Sequence, residues 1–223
     1  MIFNFIMSIL SLNHWRREIF SIYSEVRSET NGRLAWGKWK EKREALFREH
    51  PESPTFNPNN KFGQNDIPIL YTYNNMFSLS SKFEEIKNST IIELKTDENA
   101  ITRIRPLIKT TGLKAILQTE LVVFKIEGYG GGLFLPFIDA GCKLDGQHYS
   151  GGRYLIDTIK GVDLGETKYG ELRLDFNFSY NPSCSYNSKW VCPILRDQNK
   201  IPILVEAGEK KPKTFLSNQS NSD

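Results

Sequence analysis

Side chains able to do chemistry crowd into two stretches of this chain, residues 133–157 and 174–210. The second holds Cys184 and Cys192, an Asp175-Phe176-Asn177 run, a Tyr180-Asn181-Pro182 turn and the segment Glu206-Ala207-Gly208-Glu209. Cys184 follows a proline turn, where a thiol can face solvent, but it becomes a nucleophile only beside a base or an electropositive neighbour. His148 is the sole candidate base, because His14 and His50 lie near the amino terminus. Two carboxylates such as Asp139 and Asp175 would do acid–base work instead if the fold set them in one cleft. A zinc knuckle spaces its cysteines by about two to four residues. Seven residues separate Cys184 from Cys192, and adding Cys142 and His148 to make a Cys3His set does not mend that spacing, so no metal and no cofactor are expected. A disulfide between Cys184 and Cys192 and a pair of buried thiols under a loop both remain open, free cysteine being most often buried and inert.

Polar residues at strand ends make the stronger lead. Asp139 closes the apolar run 133–138, Arg153 follows Gly151-Gly152, and Asp157, Asp175 and Asn177 stand where core residues would be expected. On a strand, Asp175 and Asn177 would share one face, with Leu174, Phe176 and Phe178 on the other. One reading makes this a wet sheet face. A second is a small-ligand pocket of Asp139, Arg153, Asp175, Asn177, Tyr180, Asn181, Cys184 and Glu206 over an aromatic floor of Phe137 and Tyr154. There Arg153 would offer its planar donor fork to a carboxylate or phosphate. A third is an ion pair between Arg153 and an aspartate that ties strands together. Familiar catalytic signatures are missing: the chain has no P-loop, no dinucleotide fingerprint, no H-E-x-x-H and no G-x-S-x-G elbow.

The elements that must position these residues are legible from periodicity. Ile2, Phe5, Ile9, Leu12, Trp15, Ile19, Ile22 and Val26 recur in three- and four-residue steps, which predicts one amphipathic helix. Asn31-Gly32 is expected to stop it, and a second helix is expected over 34–49, with Trp36, Trp39, Leu46 and Phe47 buried and His50-Pro51 as its end. Residues 51–66, rich in Pro and Asn, read as a loop. From residue 67 the texture changes to short strands, at 68–73, 76–85, 90–95, 100–109, 115–127, 133–138, 153–159, 170–178 and 201–206, with the glycines of 128–132 as a hairpin connection. The fold class is therefore mainly β, an antiparallel sandwich or partly open barrel with an N-terminal two-helix arm. The expected layout is an arm at 1–50, a linker at 51–66, a β domain at 67–209 and a polar, disordered tail at 210–223.

Composition narrows the partners. The net charge is +3, with nine Lys/Arg against six Asp/Glu in residues 1–50 and twenty of each in the rest. A neutral body lacks the concentrated basic face that phosphate backbones demand, so nucleic acid is not expected. Docking of the arm on the β body is the first reading of its apolar stripe. A homodimer seam through the N-terminal helix and membrane contact of residues 1–26 are the alternatives. The apolar start has no basic leader and no small-x-small cleavage site before Ala35, and it is too short to span a bilayer. A cytoplasmic location is expected, and three cysteines in 223 residues agree with a reducing compartment.

The order of residues in the two dense stretches resembles a known family. Residues 133–139 (LFLPFID), 149–155 (YSGGRYL), 174–177 (LDFN), 180–184 (YNPSC), Cys192-Pro193, Asn199 and 206–210 (EAGEK) are similar to the uncharacterised family catalogued as domain of unknown function 1684. The resemblance is most specific from 133 to 210, looser over 67–127, and barely touches the arm. It implies signature positions, among them Phe137, Asp139, Gly152, Arg153, Tyr154, Asp175, Asn177, Tyr180, Asn181, Cys184, Cys192, Asn199, Glu206, Gly208 and Glu209, but no activity. The chain departs from that pattern at His148, where a threonine is usual, and at Ile194-Leu195, which argues against His148 as a shared base. The leading expectation is a domain binding a small polar or anionic ligand around Arg153 and the 175–209 stretch. An enzyme using Cys184 or paired carboxylates, and a structural or interaction protein, are the alternatives.

Overall fold

The computed structural model describes residues 10–57, 66–95, 101–143, 147–195 and 197–213. Helix α1 (Ser11–Ser28) buries Ile19, Ile22 and Val26 of the predicted stripe together with Tyr23, whereas Trp15 is half-buried and Leu12 is exposed; Ile2, Phe5 and Ile9 lie outside the described residues. Helix α2 (Gly32–Glu49) buries Ala35, Trp39, Arg43 and Phe47, every fourth residue. Trp36 and Leu46 are half-buried against the core. Asn31-Gly32 does not stop α1, as expected from sequence, but starts α2. The Asn31 side chain accepts the Leu34 N–H at 3.0 Å, an N-cap, and a Cβ on Gly32 would lie 2.5 Å from the Tyr73 hydroxyl. Close approach, not a left-handed backbone, asks for glycine here. His50, extended before Pro51, ends α2 as predicted.

The body is a mainly antiparallel eight-stranded sheet that forms a nearly closed barrel. Its strands are β1 (Ser78–Glu85), β2 (Ile92–Lys95), β3 (Ile101–Thr111), β4 (Val122–Ile126), β5 (Gly132–Asp139), β6 (Arg153–Asp157), β7 (Leu172–Asp175) and β8 (Lys200–Ile201). The order is β6-β5-β4-β3-β1-β7, with β2 on β3 and β8 parallel to β5. After β7 the chain returns to β6, where Tyr154 and Tyr180 exchange backbone hydrogen bonds of 2.9 and 3.0 Å. This pairing all but closes the ring and decides the sandwich-or-barrel question. Phe134, Phe137, Tyr154 and Phe176 fill it edge to face, at centroid distances of 4.8 Å (Phe134–Tyr154) and 5.1 Å (Phe137–Phe176).

Several expected strands are shorter or absent, each for a local reason. Residues 68–73 run extended but make one bridge, Leu70 to Glu209. The start of 115–127 is the helical turn α3 (Lys114–Leu117), because Glu120 draws in the N–H groups of Gly112 and Leu113 at 2.8 and 3.1 Å. After β7, residues Phe176–Phe178 form a 3-10 turn capped by Asp175, so the predicted alternation ends and Asp175, Phe176, Asn177 and Phe178 are all buried. In 201–206 only Ile201 pairs, with β5.

The described part of the arm docks on this body. Trp36 donates its indole N–H to the Asn177 carbonyl at 3.1 Å, Trp39 meets Phe178 edge-on at 5.3 Å, and Arg27 donates to the Asp163 carbonyl at 2.8 Å. No described helix is long and apolar enough to cross a membrane. Of the expected disordered tail, residues 214–223 lie outside the described residues, whereas the N–H groups of Lys210 and Lys211 bond the Ile69 and Gln147 carbonyls at 2.7 and 2.9 Å.

Candidate functional site

Arg153 begins β6 after Gly152, whose φ of +86° and whose 2.4 Å approach of an added Cβ to the Phe137 carbonyl both exclude a side chain. The arginine is wholly buried. Its guanidinium donates to the carbonyls of Val205 (3.1 Å), Ala207 and Glu209 (3.1 Å) and to Asp139 Oδ2 (3.3 Å). The fork expected for an external anion is thus turned onto the chain's own 205–209 turn. Asp139 completes the brace by accepting the Val205 N–H at 2.8 Å, the His148 ring at 2.7 Å and the Cys142 thiol at 3.2 Å. Burial pushes the Asp139 carboxyl up, but the His148 hydrogen bond and the Arg153 charge outweigh it and hold the group below its ordinary range. Burial and the Asp139 charge push the Cys142 thiol up to about 12. Asp139, Cys142 and His148 offer three donor atoms within 4.8 Å of one another, and here they hydrogen-bond to each other while Arg153 neutralises the carboxylate. His148 reaches Tyr71 on its other nitrogen at 3.2 Å.

Glu209 is held from the opposite side. Its buried carboxylate accepts Arg43 Nε at 2.6 Å, the Asn181 N–H at 2.7 Å and the Tyr186 hydroxyl at 2.9 Å. Arg43 comes from α2 and packs against the rings of Phe47, Tyr180 and Trp39 at 4.7, 5.2 and 5.6 Å. Between the two arginines Gly208 takes φ +75°, and a Cβ there would strike Ser179 Oγ at 2.1 Å.

A third network surrounds Asp175. It accepts the hydroxyls of Ser78 (2.7 Å) and Tyr73 (3.0 Å) and the N–H groups of Asn177. Asn177 in turn clasps the backbone of Asn74 at 2.8 and 2.9 Å. Burial pushes the Asp175 carboxyl up. The eight residues expected around one pocket therefore separate. Asp139 and Arg153 form the inner brace, and Asp175 and Asn177 lock the turn after β7. Asn181 serves Glu209, and the Tyr180 hydroxyl reaches Asp157 at 3.4 Å. Cys184 sits beside Cys192 and Tyr149, and Glu206 is exposed. Cys184 is not joined to His148, nor Asp139 to Asp175, so neither expected catalytic pair is assembled. The Cys3His set likewise divides into Cys142 with His148 and Cys184 with Cys192.

Open space of about 310 Å³ borders Asp175, Tyr73 and Ser78, and further space opens between α1 and the 180–192 loop. A cleft of about 260 Å³ is walled by Trp15, Ile19, Phe47, Val162 and Trp190, with Arg16, Lys160 and Glu52 supplying charge and Tyr180, Asn181 and Cys192 contributed by the body. Two buried polar atoms of its lining, Asn181 Oδ1 and Trp190 Nε1, have no hydrogen-bond partner among the described residues. Sequence reasoning missed Arg16, Arg43, Glu52 and Lys160. The available signal was Arg43 itself, an arginine in step with Ala35, Trp39 and Phe47 on an apolar stripe, where a charge must find a buried partner.

A family model described as "Protein of unknown function (DUF1684)" matches residues 66–210. No curated protein matches the chain. Among solved structures, the chain is similar to the solution NMR structure of the uncharacterized protein from gene locus rrnAC0354 of Haloarcula marismortui. Identity is 23%, the match covers 77% of this chain and 89% of that one, and the TM-score is 0.48.

Proposed function

The chain belongs to this family of unknown function, DUF1684, and on that premise we propose that it binds a small anionic molecule with an apolar body in the cleft between α1 and the 180–192 loop. The observation that carries the reading is the cleft itself, about 260 Å³ of space between an aromatic and aliphatic wall and a charged rim. Arg43 is neutralised by Glu209 and Lys160 lies 3.8 Å from the Asp157 carboxylate, so Arg16 is the rim cation that favours an anion, Glu52 being engaged by the Ser11 hydroxyl. The aromatic and aliphatic wall suits a ring or short chain, and the volume falls at the small end of ligand sites. The brace around Arg153 belongs to the scaffold, since it fixes the 205–209 turn whose Glu209 holds Asn181 and Tyr186 behind the cleft.

Trp15 and Trp190 in the lining provide the assay. Tryptophan fluorescence and calorimetry against small aromatic and aliphatic carboxylates and phosphate monoesters should yield a saturable binder. Arg16→Ala should weaken it about ten-fold, the value of one charge-assisted hydrogen bond. Binding unchanged in that variant, or no binder in the set, overturns the assignment.

A further inference from the structure

The three cysteines stand in unlike surroundings. Cys142 is tied to Asp139 and is kept a thiol by burial and that charge. Cys184 and Cys192, both unbridged, face each other across a loop. Cys184 lies in the 3-10 turn Ser183–Ser185, eight residues before Cys192. Its backbone N–H points at the Cys192 sulfur at 3.4 Å, which sets the two cysteines side by side. Tyr149 Oη sits 3.8 Å from the Cys184 sulfur. Cys192 is nearly buried, yet it lines the cleft with Lys160, so a small reagent has a path to it. A backbone N–H aimed at a sulfur that borders a cleft is an arrangement that stabilises a thiolate.

We propose that Cys184 and Cys192 form a two-electron redox site, a dithiol that a hydroperoxide converts to an intramolecular disulfide, with Cys192 as the attacking thiolate and Cys184 as the resolving thiol. Hydrogen-bond donation from Cys184 comes first among the groups that pull the Cys192 thiol down to about 6, ahead of Lys160 and the N–H groups of Cys184 and Ser183, against the opposing effect of burial. Cys192, whose sulfur also receives the Cys184 N–H at 3.4 Å, is the sulfur suited to the attacking role. In the first step the Cys192 sulfur attacks the peroxide. The O–O bond breaks, an S–O bond forms, and the alkoxide or hydroxide leaves, taking a proton from solvent to become alcohol or water. In the second, the Cys184 sulfur attacks Cys192, forms the S–S bond and expels hydroxide, which takes the Cys184 proton and departs as water. The two thiols lose two electrons and the peroxide gains them. The inference stands apart from the ligand reading, since it needs only the pair and a route for a small oxidant.

The test treats the full chain with one equivalent of hydrogen peroxide at neutral pH, blocks remaining thiols with iodoacetamide in denaturant, and maps peptides by mass spectrometry. Expected is a Cys184–Cys192 linked peptide, two hydrogens lighter than its reduced form, with Cys142 fully alkylated. In Cys184→Ser the reaction should stop at a sulfenic acid on Cys192 that dimedone captures, and Cys192→Ser should slow thiol loss at Cys184 at least about ten-fold. Recovery of all three cysteines as alkylated thiols, prior oxidation of Cys142, or a disulfide between two chains would overturn the proposal. Disulfide mapping on the unaltered chain decides the matter even if a variant fails to fold.

Discussion

The Arg153 brace and the α1 cleft draw on the same stretch of chain and treat polar groups in opposite ways. At the brace the guanidinium and carboxylate end on partners from the chain itself: three carbonyls, one N–H, one imidazole and one thiol. At the cleft, by contrast, charges stand at a rim and space is open. An arginine with an aspartate at a strand end is thus a poor guide to a ligand when both are wholly buried. Desolvating such groups is tolerable only with close pairing, and here both terminal guanidinium nitrogens are taken up by the chain itself, Nε alone lacking a partner among the described residues.

The contrast can be broken most forcefully at the brace. Arg153→Ala removes the cation that neutralises the buried Asp139 carboxylate and the side-chain donor shared by the 205–209 carbonyls, and should cost about 3–5 kcal/mol of unfolding free energy, measured by urea denaturation. A loss under about 1 kcal/mol, the scale of an exposed pair, would mean the fork is not committed to the scaffold. Arg43→Met, which keeps some packing but leaves Glu209 buried and charged, should cost about 3 kcal/mol. It should also loosen the arm, seen as faster proteolysis between α1 and α2 at unchanged protease. An arm no more labile than in the parent chain would argue that the apolar stripe alone holds it.

Finer resolution comes from pH. Asp139 is held below its ordinary 3.8, so the stability it contributes is complete above that value and drains away as pH falls through its depressed folded value. Asp175 is raised above 3.8 by burial, so its contribution is present in full below 3.8 and is lost as pH rises through its raised folded value. In profiles of Tm against pH, Asp139→Asn should flatten the acid limb and Asp175→Asn the descent on the other side. Flattening of the same limb in both variants would contradict one of the two networks. The smallest effect on stability is expected at the cleft rim, where Lys160→Ala should stay within about 0.5 kcal/mol of the parent, any deficit appearing in ligand affinity alone. A larger loss would move Lys160 from the cleft's account to the scaffold's.

Much of the fold was legible because its signals are local. The α1 stripe from Ile19 to Val26, the end of α2 at His50-Pro51 and the strands at 78–85, 101–111 and 132–139 all follow from periodicity and breakers within a few residues. Misreadings came where a side chain overrode local preference. Glu120 pulled 112–114 into a turn, and Asp175 capped the residues after it. Residues 201–206 look like a strand, yet their continuation offers its carbonyls to Arg153 instead of to a neighbouring strand. The candidate site was half legible. Tyr180, Asn181 and Cys192 stand in the stretch that sequence marks as special, while Arg16, Glu52 and Lys160 come from segments that carry no chemical motif.

By itself, then, the sequence determined a mainly β body with two amphipathic helices ahead of it, and the stretch in which polar groups concentrate. Periodicity and turn chemistry are properties of neighbouring residues, and burial of apolar faces enforces them whatever the topology. Only the tertiary structure decided which polar group meets which. Glu209 finds Arg43 across 166 residues, and Arg153 finds Val205 across 52. The ring closes through Tyr154 and Tyr180, and Cys184 turns from His148 to Cys192. A buried charge is stable only where its partners converge within hydrogen-bond distance, and that convergence belongs to the folded chain, not to any window of it.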